Sequence, residues 1–180
     1  MYKFLIVVDM QNDFIDGVLG SSEAQAIVPK VCEKIESRKF DDIFITLDEH
    51  TNELYPHQEE SRYLPIHCIK GTEGAHLNFK VSEAIRNVIH KIEEEDIFHK
   101  NTFCSFELGK TLQWITSLSG AEIEIVGLCT DICVISTVLM LRSMLPEVRI
   151  AIDSSCCAGT TPEKHKAALE VAKSCLIDVI

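Results

Sequence analysis

The chain has 180 residues, of which 46% are apolar and 25% are charged, and its formal net charge is −11. These values are typical of one globular domain with a complete core, so we expect a single domain over residues 1–180. The excess of negative charge argues against a nucleic acid or an anionic membrane as the main partner.

The chain shows no targeting or membrane segment in its sequence pattern. The N-terminal apolar run, residues 4–8, ends at Asp9, which makes it too short for the core of a signal peptide. No apolar run reaches the length of a membrane span. We therefore expect a cytoplasmic protein whose eight cysteines are thiols. The absence of a Cys-x-x-Cys pair argues against a thiolate zinc site.

Strand and helix patterns alternate along the whole chain. Apolar and β-branched runs predict six strands, at residues 3–9, 42–48, 96–100, 122–126, 148–152 and 176–180. Apolar residues at helical spacing predict four of the intervening helices: Ile27, Val28, Val31 and Ile35; Ile85, Val88, Ile89 and Ile92; Leu108, Leu112, Ile115 and Leu118; and Ala168, Val171 and Ala172. A fifth, apolar helix is predicted from about Asp131 to Leu145. This order predicts a three-layer α/β/α fold with a six-stranded parallel sheet.

Four reactive side chains follow the carboxyl ends of predicted strands: Asp9, Asp48, Lys100 and Cys133. In parallel sheets, ligands bind beyond these ends, near the point where the strand order reverses. Each residue also has a structural interpretation, because an Asp can cap a turn and a Lys can be a solvated charge. Together, however, they supply a base, a cation and a nucleophile for thiol acyl transfer.

Cys133 lies where a strand turns into a long apolar helix. Free backbone N–H groups and the positive end of the helix dipole occur at such a position. The sequence therefore predicts a thiol with a lowered pKa and nearby donors for an oxyanion. The alternative is a buried core cysteine.

Three segments resemble motifs of the isochorismatase-like cysteine hydrolases, and most closely of the nicotinamidases. They are residues 8–14 (VDMQNDF), residues 100–106 (KNTFCSF) and residues 127–134 (GLCTDICV). The resemblance covers essentially the whole chain and implies the strand order 3-2-1-4-5-6. It assigns Asp9 as general base, Lys100 as its charge partner and Cys133 as the single nucleophile. It also implies a cis peptide bond between Leu128 and Cys129, and an oxyanion hole formed by the N–H groups of Cys129 and Cys133.

The resemblance also implies a divalent metal ion bound by Asp48, His50 and His67. Glu60, seven residues before His67, is the expected fourth ligand, and His57 is the competing candidate. Two imidazoles with carboxylates suit zinc, while iron or manganese would also fit. A solvated polar loop is the alternative interpretation of this segment.

The implied reaction is the hydrolysis of nicotinamide to nicotinate and ammonia. Phe14, Leu19, Leu64 and Phe103 are the expected substrate-binding residues. Leu64 departs from the family, because nicotinamidases usually have an aromatic residue there, and this difference leaves room for another small amide. Two alternatives remain open: a family hydrolase of a different small amide or ether, and a non-catalytic binding module on the same fold. We also expect a homo-oligomer.

Overall fold

The computed structural model describes residues 1–88 and 96–180. The strands among them are β1 (Tyr2–Val8), β2 (Asp42–Asp48), β3 (Ile97–Lys100), β4 (Ala121–Leu128), β5 (Arg149–Ala158) and β6 (Asp178–Val179). The α-helices are α1 (Asn12–Ile15), α2 (Ser22–Glu36), α3 (Phe79–Val88), α4 (Phe106–Ser119), α5 (Ile135–Met144) and α6 (Pro162–Ser174). Three short 3₁₀ turns, Tyr55–His57, Glu59–Arg62 and Glu73–Ala75, lie in the connection between β2 and α3.

The strands form one sheet in the order β3-β2-β1-β4-β5-β6, and every pair is parallel. This result confirms the predicted fold class and strand order. The chain builds outward from β1 to β3 and then returns to place β4 on the other side of β1. The order therefore reverses between β1 and β4, and ligands of parallel sheets bind beyond the carboxyl ends of such strands.

Helices cover both faces of the sheet because successive side chains of a buried strand point to opposite faces. On β1, Leu5 and Val7 belong to a core shared with α2 and α3. Phe4, Ile6 and Val8 belong to a second core, shared with α4, α5 and α6. Within the described residues, no helix combines the length and the apolar character that crossing a membrane requires.

Some element boundaries differ from the predicted ones, and one prediction is not tested. The last strand is shorter than residues 176–180, because Leu176 has φ 62° and is 80% exposed in the turn that precedes β6. The helix expected from about Asp131 begins instead as a wide π-helical turn, Thr130–Val134, that continues into α5. Ile89 and Ile92, expected in the helix after the second strand, lie outside the described residues.

Candidate active site

Asp9 lies directly beyond β1 and is completely buried. Its φ of 48° turns the chain out of the sheet, after its N–H donates to the carbonyl oxygen of Thr46 at 3.1 Å. The carboxylate is held on one side by Thr46, whose Oγ1 donates to Asp9 Oδ1 at 2.6 Å. Its other oxygen, Oδ2, therefore remains directed at the neighbouring cation.

That cation is Lys100, the last residue of β3, whose side chain is only 2% exposed. Its Nζ lies 2.7 Å from Asp9 Oδ2, 3.7 Å from Cys133 Sγ and 3.6 Å from Asp48 Oδ1. Burial by itself lowers the pKa of Lys100, but the negative charges of Asp9 and Asp48 raise it overall. The ammonium ion of Lys100 thus interacts with Asp9, Asp48 and Cys133 at the same time.

Cys133 lies in the π-helical turn after β4 and is 6% exposed. Burial raises the pKa of its thiol well above the usual value; Lys100 opposes this effect, while the charges of Asp9 and Asp48 add to it. The lowered pKa predicted from the helix N-terminus is therefore wrong. Desolvation disfavours a thiolate more strongly than a helix end favours it, so the resting group is a neutral thiol beside a carboxylate and an ammonium ion.

The end of β4 and the turn that follows it contain two unusual backbone features. The peptide bond between Leu128 and Cys129 is cis, as the resemblance implies. Gly127 has φ 122°, and a Cβ atom there would lie 2.1 Å from the carbonyl oxygen of Val8 in β1. Only glycine allows this approach, which brings the ends of β1 and β4 together.

A second cluster lies beside the first, where β2 ends. Asp48, His50 and His67 are buried, and their ligand atoms all lie within 4.8 Å of one another. Asp48 Oδ2 lies 2.9 Å from His50 Nε2 and 3.2 Å from His67 Nε2. The sequence predicted these three residues as metal ligands, and the fold brings them together from separate segments.

Glu60 approaches the same cluster from the 3₁₀ turn Glu59–Arg62. Its carboxylate oxygens lie 3.7 Å from His50 Nε2 and 3.6 Å from His67 Nε2. His57 is exposed and does not belong to the cluster of buried ligand atoms found among the described residues. The geometry therefore favours Glu60 over His57 as the fourth group.

The hydrogen bonding of His67 indicates that these groups fit a cation. Its Nδ1 lies 2.8 Å from the carbonyl oxygen of Pro65, and because a carbonyl only accepts, Nδ1 carries the proton. Nε2 is buried and has no hydrogen-bond partner among the residues that the structure describes, so it presents a lone pair towards Asp48 and Glu60. Two imidazoles and two carboxylates form a donor set that zinc accepts.

The charges of the cluster also indicate a cation-binding site. Burial raises the pKa of Glu60, and the charge of Asp48 raises it further. Burial lowers the pKa of His67, but the adjacent Asp48 carboxylate and the carbonyl of Pro65 raise it overall. Two carboxyl groups and two imidazoles thus share a small buried space, where a divalent cation would compensate the carboxylate charge.

A cavity of about 320 Å³ connects the two clusters. Asp48, Glu60, Cys129 and Cys133 line it, together with three of the four predicted substrate-binding residues, Phe14, Leu19 and Leu64. Phe103, the fourth, is 42% exposed and is not among the residues that line this cavity. It belongs to the loop between β3 and α4, where its ring remains in contact with solvent.

Other residues of the site were not predicted from the sequence. Thr46 could have been noticed as a polar residue inside an apolar strand, two positions before Asp48. The cavity wall also contains residues from α2 and the turn before it, from the π-helical turn, and from α6 and the loop before it: Gly20, Ser21, Ala24, Ile132, Gly159, Thr160 and Lys164. No local pattern marks these residues, because only the packing of the helices brings them to the cavity.

Comparisons with known proteins agree with this geometry. The Isochorismatase domain matches residues 3–180. A nicotinamidase/pyrazinamidase of Mycobacterium tuberculosis is 26% identical over 188 residues, which cover 99% of this chain and 98% of that protein.

Two solved structures share the whole fold. The nicotinamidase PncA of Bacillus subtilis superimposes with a TM-score of 0.82 at 27% identity, over 99% of each chain. The pyrazinamidase of Pyrococcus horikoshii in complex with zinc gives a TM-score of 0.78 at 28% identity, over 100% of this chain and 99% of that one. The chain therefore belongs to the isochorismatase family, and it is an amide hydrolase.

Proposed function

We propose that this protein hydrolyses nicotinamide to nicotinate and ammonia through a thioester on Cys133. The observation that carries the proposal is the position of Lys100 Nζ, in contact with Asp9, Cys133 and Asp48 beside one cavity. Nucleophile, base and cation thus meet where an amide carbonyl would lie. The similarity to proteins named nicotinamidase supports the choice of substrate.

The first step forms the thioester. Because burial raises the pKa of the Cys133 thiol, the sulfur needs a base as it attacks. Asp9 accepts the thiol proton while Sγ bonds to the amide carbon and the carbonyl electron pair moves to oxygen. Lys100 remains an ammonium ion throughout and stabilises the negative charge as it moves from Asp9 to sulfur.

The tetrahedral oxyanion is stabilised by the backbone N–H groups of Cys129 and Cys133. When it collapses, the C–N bond breaks and Asp9 returns the proton, so that ammonia leaves and the acyl group remains on sulfur. In the second half, Asp9 takes a proton from water as the water oxygen attacks the thioester. The C–S bond then breaks, the sulfur regains its proton, and nicotinate is released.

In this proposal, the role of the metal site is to bind the pyridine ring of the substrate. Its ligands would be Asp48, His50, Glu60 and His67. When bound, a divalent ion, preferably zinc, supplies a Lewis-acid position for the pyridine nitrogen. The similar pyrazinamidase solved with zinc supports this choice. Phe14, Leu19 and Leu64 provide apolar walls for the ring.

Ammonia release from purified protein tests the proposal. Nicotinamide should be hydrolysed, and benzamide, which has the amide but no ring nitrogen, should be a poor substrate. Cys133→Ala should abolish turnover while the protein still folds, since a buried cysteine contributes only about 1 kcal/mol of hydrophobic stabilisation. Cys157→Ala is the matched control, because Cys157 is a buried cysteine in β5 that does not line the cavity.

Two results would contradict the proposal. Retention of more than a few per cent of activity by Cys133→Ala would exclude covalent catalysis at this residue. Rapid hydrolysis of a different small amide with no release of ammonia from nicotinamide would refute the substrate, and the leucine at position 64 makes other heteroaromatic amides the first alternatives to assay.

A further inference from the structure

The end of β2 has backbone groups that no neighbouring strand can satisfy. β1 pairs with β2 only as far as Val8 opposite Thr46, because Asp9 then turns away from the sheet. Glu49 N–H donates to the carbonyl of Lys100 in β3. Since successive residues of a strand point their backbone groups to opposite sides, the N–H and carbonyl of Asp48 face the side that β1 has left.

The side chain of Gln11 fills this place. Its Oε1 accepts from the N–H of Asp48 at 2.7 Å, and its Nε2 donates to the carbonyl of Asp48 at 2.8 Å. The carboxamide thus pairs with Asp48 as a peptide group of a neighbouring strand would. Nε2 also donates to the carbonyl of Ala75 at 2.8 Å, and the residue is 0% exposed.

Asp13, two residues further on, holds the other segment of the cluster. Its Oδ2 accepts from the N–H of Cys68 at 2.7 Å, immediately after His67. Cys68 has φ 44°, and its carbonyl accepts from the N–H of His50 at 3.0 Å. A Cβ atom on Gly74 would lie 2.2 Å from Asp13 Oδ2, so the glycine leaves the space that this carboxylate occupies.

We infer that Gln11 and Asp13 are positioning residues that hold the segments of Asp48 and His67 in register for binding a divalent cation. This inference rests on the metal site of the proposed function. Both residues lie in the short segment that follows Asp9, with Gln11 directly before α1 and Asp13 within it. The geometry of the metal site and of the base is therefore set by one short segment, through hydrogen bonds to backbone groups rather than through contacts with the cation.

The test measures the affinity of the metal-free protein for Zn²⁺ in competition with a chromophoric chelator. Partners that orient metal ligands typically change metal affinity by 10- to 100-fold, so Gln11→Ala and Asp13→Ala should each raise the Kd for zinc by about this factor. Asp13→Asn keeps an oxygen that can accept from Cys68 N–H, so its Kd should stay within about threefold of the wild type. Gln113→Ala, at an exposed glutamine that donates to the carbonyl of Met144, is the matched control and should leave the Kd unchanged.

Unfolding of the same metal-free variants separates positioning from general stabilisation. A merely structural role would lower the midpoint of unfolding and leave the zinc Kd of the folded protein unchanged. Should Gln11→Ala fail to fold, the comparison of Asp13→Ala with Asp13→Asn decides. Zinc Kd values within about threefold of the wild type in the folded alanine variants would overturn the inference.

The outcome also separates this inference from the proposed reaction. Wild-type protein that binds zinc but releases no ammonia from nicotinamide would refute the reaction, and weaker zinc binding by the Gln11 and Asp13 variants would still support their positioning role. Wild-type protein that binds no zinc would overturn the inference together with the metal site.

Discussion

Replacing Lys100 with methionine removes the cation shared by both clusters while keeping a side chain of similar length. Asp9 and Asp48, which are 0% and 5% exposed, then remain as buried carboxylates without this partner. Removing one member of a buried ion pair costs about 3–5 kcal/mol, because the other charge stays desolvated. In a domain of this size each kcal/mol lowers Tm by roughly 2–4 °C, so we expect Tm to fall by about 6–20 °C.

The decrease in Tm caused by Lys100→Met should depend on pH in a defined direction. Burial raises the pKa of Asp48, but its contacts with His50 and His67 and the charge of Lys100 lower it overall. The wild type therefore gains stability from Asp48 above the unfolded pKa of this group and loses it as the pH falls through the folded one. In Lys100→Met, the buried Asp48 carboxyl loses the charge that lowers its pKa, so its neutral form becomes more favourable and lowering the pH from about 8 to about 5 should reduce the difference in Tm.

Thermal unfolding followed by circular dichroism, with a chelator present, measures both effects. Lys173→Met is the matched control: Lys173 pairs with Glu170 at the surface and its side chain is 53% exposed, so its Tm should change by no more than about 4 °C. Turnover by Lys100→Met should fall at least about 100-fold, since the base loses its counter-ion. A Tm equal to that of the wild type, or a difference that grows as the pH falls, would refute the reasoning.

Three further predictions concern the metal site and the strand ends. Glu60→Ala should lose more bound metal than His57→Ala, because Glu60 lies within 3.7 Å of both imidazoles and His57 is exposed. Metal analysis of the two variants measures this difference, and a greater loss in His57→Ala would make His57 the fourth ligand in place of Glu60. Gly127→Ala should lower the free energy of unfolding by at least about 2 kcal/mol in urea titrations, because positive φ is unfavourable for alanine and its Cβ would lie 2.1 Å from the carbonyl of Val8. An unchanged urea midpoint would disprove the close approach of β4 to β1 at this residue. Removing the metal should mainly raise KM for nicotinamide and barely affect benzamide, whereas an acyl-enzyme that accumulates in single-turnover experiments without metal would instead indicate a role in thioester hydrolysis.

The sequence by itself determined the fold class, and the family resemblance added the expected members of both clusters. Strand–helix alternation is a local pattern, and a parallel sheet follows from it because crossover helices leave few other arrangements. Residues that follow such strands must meet at one edge, so the proximity of Asp9, Lys100 and Cys133 was predictable from their places in the chain. The seven-residue spacing from Glu60 to His67 made Glu60 the expected fourth ligand, but it left His57 as the competing candidate.

Only the tertiary structure decided the electrostatics and the walls of the site. The sequence places Cys133 at a helix start, which lowers the pKa of a thiol, but its burial among Asp9 and Asp48 raises it, and desolvation depends on every neighbour of a group rather than on its own segment. The pairing of Gln11 with the backbone of Asp48 depends in the same way on where β1 stops and β2 continues. Long-range packing sets these properties, because burial and backbone partners come from segments that lie far apart in the sequence.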